Sequence, residues 1–255
     1  MIIFIFSIFS NRQRIDLSNR KIKKIPHYIK YYANLQILNL QHNQIKNISN
    51  SFENLIDLQK LDLWTNDIEN ISTIFNNLIN LRDLDLANNK IIQMPNNIDR
   101  LILLKRLNLS NNQIKNLPFS LGNLINLNRL DLCCNAIKKL PNSLENLVNL
   151  KFLCFDHNKI DEIPENIGNL INLNTLIMSD NQITRIPTSI INLHNIFRLE
   201  YYNNPLENIT LIINRFLNKY RNNIYNDMQN VHSSSIQKST RDSILRIISY
   251  TIEKN

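Results

Sequence analysis

Glycine is almost missing from this chain: 2 residues, Gly122 and Gly168, in 255, where average usage is roughly 7%. A phosphate-cradling loop needs several closely spaced glycines, because only glycine lets the backbone turn sharply and approach the ligand. Neither a G-x-G-x-x-G, nor a G-x-x-x-x-G-K-[ST], nor the G-x-S-x-G elbow of many hydrolases can be written with two. Cysteine is also scarce, at 3 residues, and Cys133, Cys134 and Cys154 form no C-x-x-C pair, the usual half of a structural zinc site. Tryptophan occurs once, as Trp64. The one strongly apolar stretch, residues 1–11, has about 9 apolar-rich residues, far fewer than a bilayer requires.

What fills the chain instead is Asn, 46 residues, and Ile, 42, a bias to which AT-rich codons contribute. The formal charge is +8, and its distribution matters more than its size. Residues 1–34 carry seven Lys/Arg against Asp16 alone, and residues 205–255 carry seven against four acids, so the long middle is close to neutral. A nucleic-acid binder is expected to spread cations along one contact surface. Here the excess sits at the ends, which argues against nucleic acid as the partner.

The organising feature is a repeat of 23 residues without insertion: LQILNLQHNQI from Leu35, LQKLDLWTNDI from Leu58, LRDLDLANNKI from Leu81, LKRLNLSNNQI from Leu104, LNRLDLCCNAI from Leu127, LKFLCFDHNKI from Leu150 and LNTLIMSDNQI from Leu173. Degenerate copies from Arg12 and Ile196 bring the number to nine. In each, L-x-L alternates apolar and polar residues, the period of a short strand with one face buried. The ninth position is Asn43, Asn66, Asn89, Asn112, Asn135, Asn158, Asn181 or Asn204 in eight copies. A side-chain amide there can satisfy both the N–H and the C=O groups left open where the chain turns out of the strand, so these residues should form a structural ladder. Six of the seven prolines (Pro26, Pro95, Pro118, Pro141, Pro164 and Pro187) share one later position, where a fixed φ can open a helical turn.

The pattern L-x-x-L-x-L-x-x-N-x-I resembles the leucine-rich repeat family over residues 12–218. Its constant 23-residue length with I-P or L-P resembles the intracellular Ras-suppressor-like class more than the type-1 phosphatase regulators, whose repeats are about one residue shorter. The expected fold class is α/β: a horseshoe solenoid with a parallel sheet on the concave face and short helices or 3-10 turns on the convex face. Residues 1–11 are in phase with the convex half of a preceding repeat, so they read as an N-terminal half-repeat or cap, with a leader or a truncated chain start as alternatives. At the other end Ile209, Ile213 and Phe216 continue the inward pattern into a capping helix. Residues 219–255 read as a linker followed by an amphipathic helix with Ile244, Ile247, Ile248 and Ile252 on one face.

Side chains between the buried leucines should line the concave surface and carry the binding residues. Lys60 with Asp62, Arg106 with Asp85, and Arg129 with Asp131 are expected to neutralise one another. Trp64 is expected to be exposed, and Phe152, Cys154, Ile177 and Tyr202 to make an apolar patch over the last three repeats. Exposed aromatics rimmed by charge have the character of protein-binding hot spots. In register, Cys133 should neighbour Asp156, and Cys134 should neighbour His157. These are metal-ligating residue types, but diverging concave side chains and the missing C-x-x-C leave the expectation at no metal and no cofactor. An odd number of internal cysteines points to free thiols in a reducing compartment, the cytosol or nucleus.

The histidines His27, His42, His157, His194 and His232 are scattered and match no catalytic motif, and the repeats leave no room for a catalytic domain. The reading is a monomeric, non-catalytic scaffold that binds a protein partner on its concave face. The resemblance implies a role in signalling, with a regulatory or targeting subunit of a phosphatase or GTPase pathway as one alternative. Another is an RNA or anionic-membrane binder acting through Arg12, Arg14, Lys21, Lys23 and Lys24.

Overall fold

The structure, a computed structural model, describes residues 12–48, 52–71 and 74–220. The N-terminal cap or leader at 1–11 and the C-terminal amphipathic helix lie outside the described residues. Nine three-residue strands form one parallel sheet in chain order. They are β1 (Arg14–Asp16), β2 (Ile37–Asn39), β3 (Lys60–Asp62), β4 (Asp83–Asp85), β5 (Arg106–Asn108), β6 (Arg129–Asp131), β7 (Phe152–Cys154), β8 (Thr175–Ile177) and β9 (Arg198–Glu200). The register is a constant offset of one repeat, so Leu38 lies beside Leu61, Leu61 beside Leu84, and onward to Leu176 beside Leu199.

Each strand is short because only its central residue points into the core while both neighbours face outward, and the next residue again turns in. Leu61 and Leu63 are fully buried, as are Leu84 and Leu86, with Leu58 and Leu81 closing the layer. One contiguous apolar cluster runs from Ile15 to Leu217. Burying a leucine contributes about 1.5–3 kcal/mol, and each repeat finds that burial only against its neighbours.

The convex side is built from 3-10 turns, among them Asn96–Arg100, Phe119–Asn123, Asn142–Asn146 and Thr188–Asn192, each preceded by its proline in extended conformation. Proline sets φ and needs no donor partner at that point. The residues behind it, Ile98, Leu121, Leu144 and Ile190, are buried.

The last turn becomes an α-helix, α1 (Leu211–Asn218), whose Ile213, Phe216 and Leu217 are buried and close the end of the core. Ile209, expected to point inward, is exposed. A helix turns about 100° per residue, so its buried stripe takes 213, 216 and 217 rather than the spacing of the tighter turns.

With glycine scarce, the sharp turn out of each strand is made by other residues. Asn19, His42, Thr65, Asn88, Asn111, Cys134, His157, Asp180 and Asn203 occupy one repeat position, and all have φ between 51° and 57°. The left-handed region is open to Asn and Asp at small cost and is strained for a β-branched residue such as Thr65. The two glycines do not use positive φ. They permit close approach between successive convex turns.

Candidate functional site: the concave face

The ladder residues fix the geometry of this face. Asn66 donates through Nδ2 to the carbonyl oxygens of Leu40 (3.0 Å) and Leu63 (3.1 Å), while its Oδ1 accepts the N–H of Ile45 (3.0 Å). Asn43, Asn89, Asn112, Asn135, Asn158, Asn181 and Asn204 each repeat this three-way bond, to the preceding repeat and to their own. A second, exposed amide ladder runs along the rim: Asn80, Asn126, Asn149, Asn172 and Asn195 donate to Ile56, Ile102, Ile125, Val148 and Ile171 carbonyls.

The acidic column has a structural task that the sequence reading missed. Asp62, Asp85 and Asp131 each accept the N–H two residues on, from Trp64, Ala87 and Cys133 respectively, and Asp16, Asn39 and Asn108 do the same. This is the local bond that makes Asp and Asn turn formers. The signal was present: six successive copies carry Asp or Asn at this position, and only the last three depart from it. Burial raises the carboxyl pKa of Asp85, opposed by the Ala87 N–H and the Asn108 amide. Burial likewise raises that of Asp131, against the pull of Arg129.

Of the expected ion pairs, Arg129 with Asp131 stands, at 3.1 Å. The other two are corrected. Lys60 and Arg106 both reach Asp83, at 3.9 and 2.8 Å. Asp83 lies between them in the same lateral row of the sheet, and Asp85 is occupied by its own turn and by the Asn108 amide.

Trp64 is half-buried rather than exposed, because the His42 ring meets it edge-on with centroids 4.4 Å apart. Phe152 is half-buried under the Arg129 guanidinium, 3.5 Å above its ring. Cys154 is buried, with 4% exposure, and so drops out of the solvent-facing patch. Ile177 and Tyr202 are half-covered. Burial and the neighbouring Glu200 carboxylate push the Tyr202 hydroxyl pKa upward.

The cysteines overturn an expectation. Cys133 and Cys154 are joined in a disulfide with Cα atoms 5.7 Å apart, and Cys134 is the free thiol among the described residues. Directly abreast, Cys133 meets Asp156 and Cys154 meets Asp131, but the two cysteines sit diagonally across β6 and β7, within the usual span of a disulfide. Free thiols therefore no longer argue for a reducing compartment. Burial, followed by nearby carboxylates, raises the Cys134 pKa to about 11, so this thiol stays protonated and unreactive at neutral pH.

Next to them, His157 Nδ1 lies 2.8 Å from Asp156 Oδ2, and its Nε2 lies 3.6 Å from Asp180 Oδ2. The Asp156 hydrogen bond raises the imidazole pKa more than burial lowers it.

Family models described as leucine rich repeat match residues 10–68 and 56–114, and a leucine-rich repeat region matches 141–211. The chain is a leucine-rich repeat protein. No curated protein matches it. Among solved structures, a leucine-rich repeat protein of Leptospira interrogans is 28% identical with a TM-score of 0.76 over 82% of this chain and 54% of its own. An internalin of Listeria monocytogenes is 26% identical, with a TM-score of 0.62 over 80% of this chain and 64% of its own.

The Arabidopsis receptor kinase HAESA, solved with the peptide hormone IDA and the co-receptor SERK1, is 28% identical with a TM-score of 0.69 over 76% of this chain and 35% of its own. This leucine-rich repeat chain thus spans between a third and two thirds of those proteins. Among its described residues no helix is long and apolar enough to cross a membrane.

Proposed function

We propose that this leucine-rich repeat protein is a monomeric, non-catalytic scaffold whose concave sheet holds a protein partner. The observation that carries the reading is a set of three half-buried aromatics on the concave side of the sheet, Trp64 toward one end and Phe152 and Tyr202 toward the other. Between them lie Asp62, Asp83, Asp85, Arg106, Arg129 and Asp131, a field of mixed sign that suits a polar partner surface and gives register without a large net charge. Half-buried rings are already held in place, so docking against them costs little side-chain entropy. Ile177, abreast of Cys154 in the next strand, adds half-covered apolar surface at the same end of the sheet. The HAESA complex, in which a similar fold meets a peptide hormone and a co-receptor, supports the same use of this architecture.

The finer reading is an adaptor in signalling. Its proposed setting, the cytosol, rests on the resemblance to the intracellular 23-residue-repeat class and not on the cysteines, two of which are paired. The test is affinity capture with identification by mass spectrometry, followed by rebinding of the purified partner. Combined Trp64→Ala, Phe152→Ala and Tyr202→Ala changes should weaken that binding at least a hundredfold while circular dichroism stays unchanged. Full binding by the folded triple variant would sink the reading.

A further inference from the structure

Two short segments of adjacent repeats mirror each other: Asp131-Leu132-Cys133 leaving β6, and Cys154-Phe155-Asp156 leaving β7. Strand periodicity sends the outer residue of each pair to the concave face and the middle one, fully buried Leu132 or Phe155, to the core. The register sets Asp131 beside Cys154, and the same offset sets Cys133 beside Asp156. The four side chains form a square with the cysteines on one diagonal and the carboxylates on the other.

We propose that Asp131, Cys133, Cys154 and Asp156 bind a thiophilic divalent cation, with Zn²⁺ the best fit, once the Cys133–Cys154 disulfide is reduced. Ligand atoms of Asp131, Cys133 and Cys154 lie within 4.8 Å of one another, and Asp156 Oδ1 lies 2.9 Å from Cys154 Sγ. Tetrahedral zinc with bonds of ~2.3 Å to sulfur and ~2.0–2.2 Å to carboxylate oxygen needs donor atoms ~3.5–3.8 Å apart, a spacing that modest side-chain rotation supplies.

The carboxylates are already oriented for it. Arg129 Nη2 holds Asp131 Oδ2 at 3.1 Å while Asp131 Oδ1 accepts the Cys133 N–H at 3.4 Å, and the His157 ring holds Asp156 Oδ2 at 2.8 Å while Asp156 Oδ1 faces Cys154 Sγ. Such outer partners fix ligand geometry in metal sites. Two thiolates and two carboxylates surround the cation with four soft and hard donors from two neighbouring repeats.

The chemistry balances with a dithiol reductant. It delivers two electrons and two protons, the S–S bond breaks, two S–H bonds form, and the reductant becomes a disulfide. The cation then displaces the two thiol protons to solvent and forms two metal–sulfur bonds, while the carboxylates contribute lone pairs. Oxidation and metal occupancy exclude each other, so the site alternates between a covalent and a coordinative tie across β6 and β7.

The test is titration of the full chain with Co²⁺, used as a spectroscopic stand-in for zinc, after anaerobic reduction with a phosphine. A sulfur-to-cobalt charge-transfer band should grow, saturate at one equivalent and collapse on adding Zn²⁺, and the oxidised protein should show none. Cys133→Ser should abolish the band, and Cys134→Ser should keep it. Asp131→Asn and Asp156→Asn should each weaken binding by about tenfold or more. Absence of the band in protein shown by mass spectrometry, after alkylation in denaturant, to carry three free thiols would overturn the proposal. So would its survival in Cys133→Ser, or unchanged affinity in both Asp variants.

Discussion

Gly122 is pressed against Ser143 of the next repeat: a Cβ placed on it would lie 2.2 Å from the Ser143 carbonyl oxygen. Gly168 stands in the same relation to Ser189, at 2.1 Å. Ser143 Oγ in turn donates across the seam to the Phe119 carbonyl, tying the two convex turns together. Glycine is kept at these two places for contact rather than for conformation. Gly122→Ala should therefore lower the unfolding free energy by about 1–3 kcal/mol, the usual cost of forcing an extra methyl into a closed contact. Chemical denaturation measures this, and a wild-type midpoint would contradict it.

Thr65 makes the opposite case. Its φ of 55° holds a β-branched side chain where Asn88 and Asn111 serve in the following repeats. Thr65→Asn should raise stability by about 0.5–1 kcal/mol, a fraction of the ~1–2 kcal/mol that left-handed backbone costs an ordinary residue. Thermal unfolding checks it, and a lowered midpoint would count against this account of the turn.

The buried and the rim amides should differ sharply on truncation. Asn89→Ala leaves the buried Ile68 N–H without its partner and takes one of two amide donors from the Leu63 and Leu86 carbonyls, which keep Asn66 and Asn112, at about 1–3 kcal/mol for the orphaned N–H. Asn80→Ala removes one exposed bond to the Ile56 carbonyl and should cost under about 1 kcal/mol. Equal losses in the two variants would mean that the inner ladder has no special weight.

The His157 imidazole should titrate above its ordinary 6.5, because the Asp156 carboxylate, and less strongly Asp180, favour the charged ring. A raised folded-state pKa stabilises the protein below the unfolded value of about 6.5, and that contribution fades as pH climbs through the raised value. Proton NMR of the ring should show the elevated midpoint, and Asp156→Asn should bring it down. A midpoint that ignores this substitution would remove Asp156 as the cause.

The leucines of L-x-x-L-x-L and the ladder asparagines were legible because burial and turn satisfaction impose the same demand on every copy. The convex 3-10 turns followed from the shared proline, although the sequence left helix and 3-10 turn open. Side-chain partners on the concave face were harder to read. Lys60 and Arg106 both reach Asp83 because it lies between them in one lateral row, and because Asp85 was committed to Ala87 and Asn108, whereas Arg129 pairs with Asp131 on its own strand. The Cys133–Cys154 link escaped because a diagonal neighbour is invisible to column-by-column comparison. Trp64 was placed on the right face, yet its cover by His42 depends on a rotamer that no pattern encodes.

The inner ladder also has a direction. Each asparagine reaches back to complete the turn before it: Asn89 serves Leu63 and Ile68, and Asn112 serves Leu86 and Ile91. In this ladder the turn of each repeat is therefore completed by the asparagine of its successor. During synthesis the emerging end is always the incomplete one, and every new repeat seals the last as it leaves the ribosome. Shortening the gene from its 3′ side would open the turn before each lost asparagine, whereas an added repeat needs asparagine in that place and a helix such as α1 to close the core behind it.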